Sequence, residues 1–228
     1  MENLPFVCIV TYGRSGSTVV QTVLQTIPGY HIRGENMNVL YSLFGASRAA
    51  YSTRYDHGNK EHGLEEPWYG ADKVVPERFS RKLAKLFVEE IIQPPADARV
   101  IGFKEIRFHE AGPDQFEDYL NFIHENLAPC KFIFNIRNWE DVSRSGWWAN
   151  MDKDIVRGIV EGCDSMYAAY QSKYPERCLQ LSYDETNGNP EAFKPLFDFL
   201  GETYDEEKVT AITGRRLKHT GLQKEKRR

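Results

Sequence analysis

The chain has 228 residues, of which 41% are hydrophobic and 27% are charged, and its formal net charge is −4 at pH 7. This composition is that of a globular protein, and it excludes a disordered chain, a collagen and a small disulfide scaffold. The length predicts a single domain over residues 1–228. No apolar run approaches the ~20 residues that a membrane-spanning helix needs, so we expect no membrane span.

Charge is unevenly distributed along the chain. Residues 214–228 hold seven basic side chains and one acidic side chain, so this C-terminal tail carries +6 and the rest of the chain carries −10. Nucleic-acid binding requires a broad basic face, and an acidic body does not provide one. We therefore expect no nucleic-acid partner.

The four cysteines, Cys8, Cys130, Cys163 and Cys178, stand far apart in the chain. They form no C-x-x-C pair and no cluster with histidine, so we expect neither a metal site nor a redox pair. Isolated cysteines of this kind predict buried free thiols, which fit a protein of the reducing cytoplasm.

Four short apolar runs predict buried strands over residues 4–12, 99–104, 131–136 and 178–183. Their nearly continuous hydrophobicity is typical of a parallel sheet that is covered on both faces. Apolar residues at helical spacing cover 79–91, 116–127, 155–170 and 193–200. Strands that alternate with helices predict an α/β fold of three layers, in which helices flank a central, mostly parallel sheet. Residues 45–76 fit neither pattern and predict a long surface excursion, of the lid or binding-loop kind.

The first predicted strand leads directly into a glycine-containing loop, residues 13–18, which a helix follows. The amides in the first turn of such a helix have no intrahelical acceptor, and the helix dipole is positive there, so the arrangement favours an anion. Ser15, Ser17 and Thr18 add hydroxyl donors, and Arg14 adds a cation. The alternative is a plain strand–turn–helix joint. The G-x-x-x-x-G-K-[ST] pattern is absent, which argues against an ATPase or GTPase built on that motif.

The segment TYGRSGST, residues 11–18, resembles the 5′-phosphosulfate loop of the sulfotransferases that use 3′-phosphoadenosine 5′-phosphosulfate (PAPS). Many cytosolic members have lysine at the position of Arg14, whereas the tyrosylprotein and several bacterial carbohydrate sulfotransferases have arginine. The resemblance implies a P-loop-like fold in which Gly16 and its neighbours bind the 5′ side of PAPS. Val19 replaces the aromatic residue that ends this loop in many cytosolic members, which points away from the phenol and steroid branch.

A second anion site is predicted at Arg137, where the strand over 131–136 ends. Asn138 is a suitable N-cap for a following helix, and we expect Ser145 about two turns into that helix. Ligands of open α/β sheets bind at the carboxyl ends of the strands, so both side chains could reach one anion. The alternative is a salt bridge for Arg137 and a surface position for Ser145. Sulfotransferases bind the 3′-phosphate of PAPS with an arginine at a strand end and a serine eight positions later, so the resemblance implies this role for the pair.

A third segment, residues 181–201, is similar to the strand, tyrosine and acidic stretch that precede a helix ending in Phe-Leu-Gly in this family. The resemblance implies that Tyr183 lies near the adenine or the 3′-phosphate; the alternative is a core tyrosine. The C-terminal Arg-Lys-Gly motif of cytosolic members is not clearly present. Residues 214–218 could supply replacement cations or belong to a solvated tail.

Sulfuryl transfer to a hydroxyl needs a base for the hydroxyl proton and cations for the charge on the leaving phosphate. Glu35 lies in a Gly-Glu segment that resembles the one carrying the base in the tyrosylprotein and bacterial carbohydrate enzymes; its alternatives are an ion pair with Arg33 or a helix cap. His31 is a second candidate base. Lys104 matches the family's strand-end lysine, which implies that it stabilises the leaving group. Arg107 could hold an anionic acceptor or PAPS.

The resemblance carried by these residues implies an enzyme that transfers the sulfuryl group of PAPS to an acceptor hydroxyl, and no metal-ligand spacing is visible. Glu35 is the candidate base, and Arg14 and Lys104 are the candidate charge-stabilising residues. Tryptophans near the helix after Arg137 favour a carbohydrate, glycolipid or small metabolite as the acceptor, because aromatic faces stack on sugars; the alternative is that they only pack. Two other classes stay open: a divergent nucleotide kinase and a non-catalytic nucleotide-binding or interaction module. The oligomeric state is not predicted.

Overall fold

The structure is a computed structural model that describes residues 4–127 and 130–214. Its centre is a five-stranded sheet made of β1 (Phe6–Thr11), β2 (Tyr30–Arg33), β3 (Val100–Glu105), β4 (Cys130–Ile136) and β5 (Cys178–Ser182). The strands lie in the order β2-β3-β1-β4-β5, and each neighbouring pair is parallel. The predicted α/β fold with a central parallel sheet is confirmed.

Helices connect the strands and cover the sheet. They are α1 (Ser17–Leu24), α2 (Val39–Ser52), α3 (Pro76–Phe87), α4 (Gly112–Asn126), α5 (Trp139–Ser143), α6 (Lys153–Lys173), α7 (Tyr183–Thr186), α8 (Lys194–Leu200) and α9 (Glu206–Thr213).

The central strand β1 shows why the sheet is covered on both faces. Phe6, Cys8 and Val10 pack into one core, which also contains buried residues of α2, α3, α4 and α6. Val7 and Ile9 point to the other face and pack with buried residues of α1, α8 and α9. Because successive strand residues alternate between faces, a strand buried on both sides has a continuous apolar sequence.

The excursion predicted over residues 45–76 is partly regular. Its first residues continue α2 as far as Ser52, which fits the helix-favouring alanines in this stretch. A π-helical turn, Thr53–His57, comes next. The ring of His57 stacks on Trp68 at 3.6 Å, and the Tyr55 hydroxyl donates to Glu77 of α3 at 3.0 Å. A role for this segment as a lid or a substrate-binding loop stays a prediction.

The helix after β4 is shorter than predicted. Asn138 caps α5 as expected, since its side-chain oxygen accepts a hydrogen bond from the Glu140 amide at 2.9 Å. The helix ends at Ser143, however, so the prediction that Ser145 lies two turns into a helix is wrong. The backbone of Ser145 is extended, and Gly146 has a φ of +60°, a combination that stops the helix and redirects the chain.

The four cysteines are free and buried, as predicted, and burial raises the pKa of the Cys8 and Cys130 thiols.

Within the described residues, no helix combines the length and the hydrophobicity that crossing a membrane requires. Residues 215–228, which carry the charge of the basic tail, lie outside the described residues. The cytoplasmic location and the single-domain organisation stay predictions.

Candidate functional site

The candidate residues follow three neighbouring strands at the same edge of the sheet. Arg14 lies just beyond β1, Lys104 is the second-to-last residue of β3, and Arg137 directly follows β4. β1 lies between β3 and β4, and the chain moves from β1 to one side of the sheet and later to the other. In open α/β sheets this reversal of strand order creates the crevice in which ligands bind.

The loop after β1 is anchored to the end of β4. Thr11 is buried; its hydroxyl donates to the Asn135 carbonyl at 2.7 Å and lies 2.7 Å from the Ser15 hydroxyl, from which it can accept. The Asn135 side chain in turn donates to the Ser15 carbonyl at 2.8 Å. Trp148 donates from its indole nitrogen to the Gly13 carbonyl at 3.0 Å. The loop conformation is therefore held by buried contacts before any ligand arrives.

The start of α1 leaves backbone donors available. Gly16 is the N-cap residue with a φ of +79°, and within the described residues no side chain caps this helix. Ser17 and Thr18 form its first turn, where amides have no intrahelical acceptor. Arg14 also has a left-handed φ, of +67°. Left-handed residues in a short loop are typical of the turns in which backbone amides bind an anion.

Two arginines and one serine meet beside this loop. The Arg14 Nε donates to the Ser145 hydroxyl at 2.9 Å, and the Arg137 Nη1 donates to the Arg14 carbonyl at 3.0 Å. Both arginines use neutral oxygens as partners, and within residues 4–127 and 130–214 neither forms a salt bridge. Two cations without counterions therefore face one region, which favours a strongly anionic ligand.

Tyr183 joins the two halves of this anion site. Its ring lies under the Arg137 guanidinium, 4.5 Å from ring centroid to the central carbon. The same ring lies so close to Gly16 that a Cβ atom there would overlap it. Tyr183, predicted from the third segment, is thus next to both predicted phosphate sites and is not a core tyrosine.

Charged groups of opposite sign gather on the other side of β1. Lys104 is buried, and its Nζ donates to Oε1 of Glu35. The Arg107 Nη1 lies 3.7 Å from Oε2 of Glu35 and 3.1 Å from Oε1 of the buried Glu105. The Glu35 side chain is 39% exposed, so its carboxylate is held by cations while remaining open to solvent. A group placed in this way can accept a proton from an incoming molecule.

Comparison with known protein families gives one match that spans nearly the whole chain. The family model described as the sulfotransferase family matches residues 5–206. The chain belongs to the sulfotransferase family. No curated protein matches it in the corresponding comparison. Among solved structures it is similar to a thymidylate kinase from Candida albicans, with 12% identity, a TM-score of 0.41, and coverage of 90% of this chain and 87% of that chain.

Two alternatives offered by the sequence, an ion pair between Arg33 and Glu35 and a base at His31, disagree with the hydrogen bonds of this sulfotransferase-family chain. Arg33 donates to the carbonyl of Ile92 at 2.8 Å and does not pair with Glu35. The strand places His31 on the opposite face from Ile32, and no hydrogen bond joins it to the candidate residues in the described part of the chain. Glu35 is the carboxylate that the structure brings to Lys104.

Three residues of this sulfotransferase-family site were missed by sequence reasoning. Glu105 directly follows Lys104, yet nothing in the pattern shows that its carboxylate is fully buried. The Tyr12 hydroxyl accepts from the Arg137 amide at 2.7 Å and donates to the Arg137 carbonyl at 3.0 Å. Asp164 of α6 lies beside that hydroxyl, and burial raises the pKa of its carboxyl to about 6. These contacts join residues far apart in the chain, so no local motif signals them.

Within the described residues, no group of three or more His, Cys, Asp or Glu side chains gathers as a metal site would require.

Proposed function

We propose that this sulfotransferase-family protein transfers the sulfuryl group of PAPS to the hydroxyl of a neutral acceptor. The observation that carries the proposal is the meeting of Arg14, Arg137 and Ser145 beside the open start of α1. A ligand with phosphate groups on the 3′ and 5′ oxygens of one ribose matches two neighbouring anion sites with the Tyr183 ring beside both.

The residues present are suited to hold PAPS. Nε of Arg137 is buried and lacks a hydrogen-bond partner among the described residues, so a ligand oxygen could satisfy it. We assign Arg137 and Ser145 to the 3′-phosphate and Tyr183 to the adenine side. Arg14, Ser15 and the amides and hydroxyls at the start of α1 (Gly16, Ser17, Thr18) are assigned to the 5′ side. When bound, PAPS supplies the sulfuryl group and a phosphate leaving group.

The acid–base step is assigned to Glu35. Its carboxylate would accept the proton of the acceptor hydroxyl as that oxygen bonds to sulfur and the bond from sulfur to the 5′-phosphate oxygen breaks, with the electron pair leaving on the phosphate. Lys104 already lies against this carboxylate, and its ammonium group can also neutralise charge that develops on the leaving oxygen. Arg14 supplies a second cation from the loop after β1.

The charges around Glu35 bear on the class of acceptor. Lys104 and Arg107 both pair with carboxylates, those of Glu35 and Glu105, so among the described residues neither cation on this side of the site is without a counterion. This supports a neutral acceptor and disfavours the anionic acceptor that Arg107 could otherwise hold. We propose a small carbohydrate, glycolipid or metabolite hydroxyl. The combination of Arg14 with Glu35 supports the bacterial carbohydrate or tyrosylprotein-type branch of the family.

The proposal is tested by calorimetric titration followed by turnover. The protein is titrated with adenosine 3′,5′-bisphosphate (PAP), with ADP, and with ATP plus Mg²⁺. PAPS is then incubated with a panel of methyl glycosides, a glucosylceramide and a tyrosine peptide, and release of PAP is measured. We expect PAP to bind more tightly than ADP or ATP, and at least one neutral hydroxyl to accelerate PAP release.

Other results would contradict the proposal in distinct ways. Preferential binding of ATP with Mg²⁺ would favour a nucleotide kinase. Tight binding of PAP with no turnover of PAPS, on any acceptor or in water, would favour a non-catalytic nucleotide-binding module.

A further inference from the structure

A carboxylate that the proposed reaction does not use lies directly beneath the segment that carries Glu35. Glu105 is the last residue of β3, and none of its surface reaches solvent. A buried carboxylate is unfavourable unless its oxygens are hydrogen-bonded or paired with a cation. The partners of Glu105 therefore show what its charge is used for.

All partners of Glu105 adjoin the acid–base residues. Its Oε2 accepts hydrogen bonds from the backbone amides of Asn36 at 3.0 Å and of Asn38 at 2.9 Å. Its Oε1 accepts from the Ile106 amide at 2.7 Å and from the Arg107 Nη1 at 3.1 Å. Asn36 is the residue next to Glu35, so one carboxylate oxygen binds the backbone immediately beyond the candidate base.

The backbone of this segment needs such a partner. Met37 and Asn38 both have left-handed conformations, with φ values of +59° and +54°. Two consecutive non-glycine residues in this region are unfavourable and persist only where their surroundings impose them. The turn brings the amides on either side of Met37 to the same Glu105 oxygen. Glu105 thereby stabilises a conformation that the chain would otherwise leave.

Arg107 provides a second connection to the base. Its Nη1 lies between the carboxylates of Glu105 and Glu35, at 3.1 Å and 3.7 Å. The Asn38 side chain donates to the Arg107 carbonyl at 3.0 Å, which ties the two segments together again. Glu105 thus acts on the backbone next to Glu35 and, through Arg107, on its carboxylate, which Lys104 also contacts directly.

We propose that Glu105 is a positioning residue whose buried charge holds Glu35 in the geometry for proton transfer. This inference rests on the proposed function, because it takes Glu35 as the base. Glu105 touches neither of the two assigned phosphate sites, so its role is confined to the acid–base side.

The test is a double-mutant cycle between Glu105→Gln and Glu35→Gln. Glutamine keeps the size of the side chain but directs an NH₂ group at amide or guanidinium donors. Turnover of PAPS to PAP is measured with the fastest acceptor of the panel, or with water as the acceptor. We expect Glu105→Gln to lower kcat on the order of 100-fold, because small misplacements of a catalytic group have effects of that size. The affinity for PAP should stay within about 3-fold of wild type. In the Glu35→Gln background the same change should cause no further loss, because residues that act through one another are not additive.

A kcat within about 3-fold of wild type for Glu105→Gln, or an equal loss in both backgrounds, would overturn the inference. Full activity of Glu35→Gln alone would instead show that the proposed base is wrong. If Glu105→Gln does not fold, Arg107→Gln takes its place in the cycle. We expect Arg107→Gln to lower kcat about 10-fold in the wild-type background and not at all in the Glu35→Gln background. Equal losses of kcat in both backgrounds would overturn the inference. Glu117→Gln, which removes a carboxylate paired with Lys173 on the outer surface, is the control and should leave kcat unchanged.

Discussion

The two sides of β1 use their charges in opposite ways. On the phosphate side, Arg14 and Arg137 lie close together, and their hydrogen-bond acceptors within the described part of the chain are neutral oxygens. On the acid–base side, Lys104 and Arg107 are matched by two carboxylates, Glu35 and Glu105. Among residues 4–127 and 130–214, one side therefore holds positive charge without a counterion, which an anion can neutralise, whereas the cations of the other side are paired with carboxylates.

This difference separates binding from turnover. An excess of positive charge contributes to affinity for a phosphorylated ligand, and it does so whether or not a reaction follows. A neutral network of ion pairs adds little to that affinity, but it fixes the orientation of a carboxylate that must accept a proton. Substitutions on the phosphate side should therefore change the affinity for PAP, and substitutions on the acid–base side should change kcat.

The largest expected effect is on the acid–base side. Glu35→Gln removes the proton acceptor while keeping the shape of the side chain, so kcat should fall by about 10²- to 10⁴-fold. Affinity for PAP should stay within about 3-fold of wild type, because Glu35 lies outside the phosphate side. Initial rates of PAP release and calorimetry measure the two quantities. Glu89→Gln, which affects a carboxylate paired with Lys85, serves as the control. A large fall in PAP affinity with little change in kcat would remove the distinction between the two sides.

The positions of the residues on the phosphate side follow from local sequence more directly than the contacts of Glu105 on the acid–base side. The loop over residues 11–18 and Arg137 each directly follow a strand, so their positions depend on local order along the chain and on the parallel sheet. Glu105 could not be predicted in this way, because its contacts require β2 to pair with β3 and the following turn to adopt two left-handed residues. Ser145 contacts Arg14, although the helix that was expected to carry it ends earlier, and its assignment to the 3′-phosphate stays a prediction.

A smaller effect is expected from Ser145→Ala on the phosphate side. The substitution removes the acceptor of the Arg14 Nε hydrogen bond and a hydroxyl proposed to bind the 3′-phosphate. PAP affinity should fall by about 2- to 12-fold, the range for one hydrogen bond, and kcat at saturating PAPS should be unchanged. Ser165→Ala alters an exposed serine on α6 and is the matched control. A loss of kcat without a loss of affinity would assign Ser145 to the acid–base side instead.

The smallest effect concerns stability beneath the phosphate side. Burial raises the pKa of Asp164 to about 6, whereas an aspartate in an unfolded chain titrates near 4. The folded protein thus binds this proton more tightly, and the resulting stabilisation is present below pH ~4 and lost as the pH rises through about 6. Asp164→Asn is neutral at every pH and should be more stable than wild type at pH 7.5, by about 1 kcal/mol after allowance for partial exposure.

Urea unfolding at several pH values measures this difference. The gain should shrink as the pH falls toward ~4, where wild-type Asp164 is itself protonated. Asp118→Asn, an exposed position on α4, should show no such trend. A loss of stability at pH 7.5 in Asp164→Asn would mean that the ionised carboxylate is stabilised by its neighbours, the Tyr12 hydroxyl foremost.

The central claim, that Arg137 recognises a 3′-phosphate, is tested most directly by combining a protein variant with a ligand variant. Wild type, Arg137→Ala and Arg144→Ala are titrated with PAP and with adenosine 5′-monophosphate, which lacks the 3′-phosphate. Arg144 is the control, because it lies on the same segment and pairs with Glu140 on the surface. We predict that Arg137→Ala weakens PAP binding on the order of 100-fold, the size expected for loss of a charge-assisted contact. Its affinity for the monophosphate should stay close to wild type. The affinities of Arg144→Ala for both ligands should also stay close to wild type. Equal losses for both ligands, or no preference of the wild-type protein for PAP, would contradict the claim.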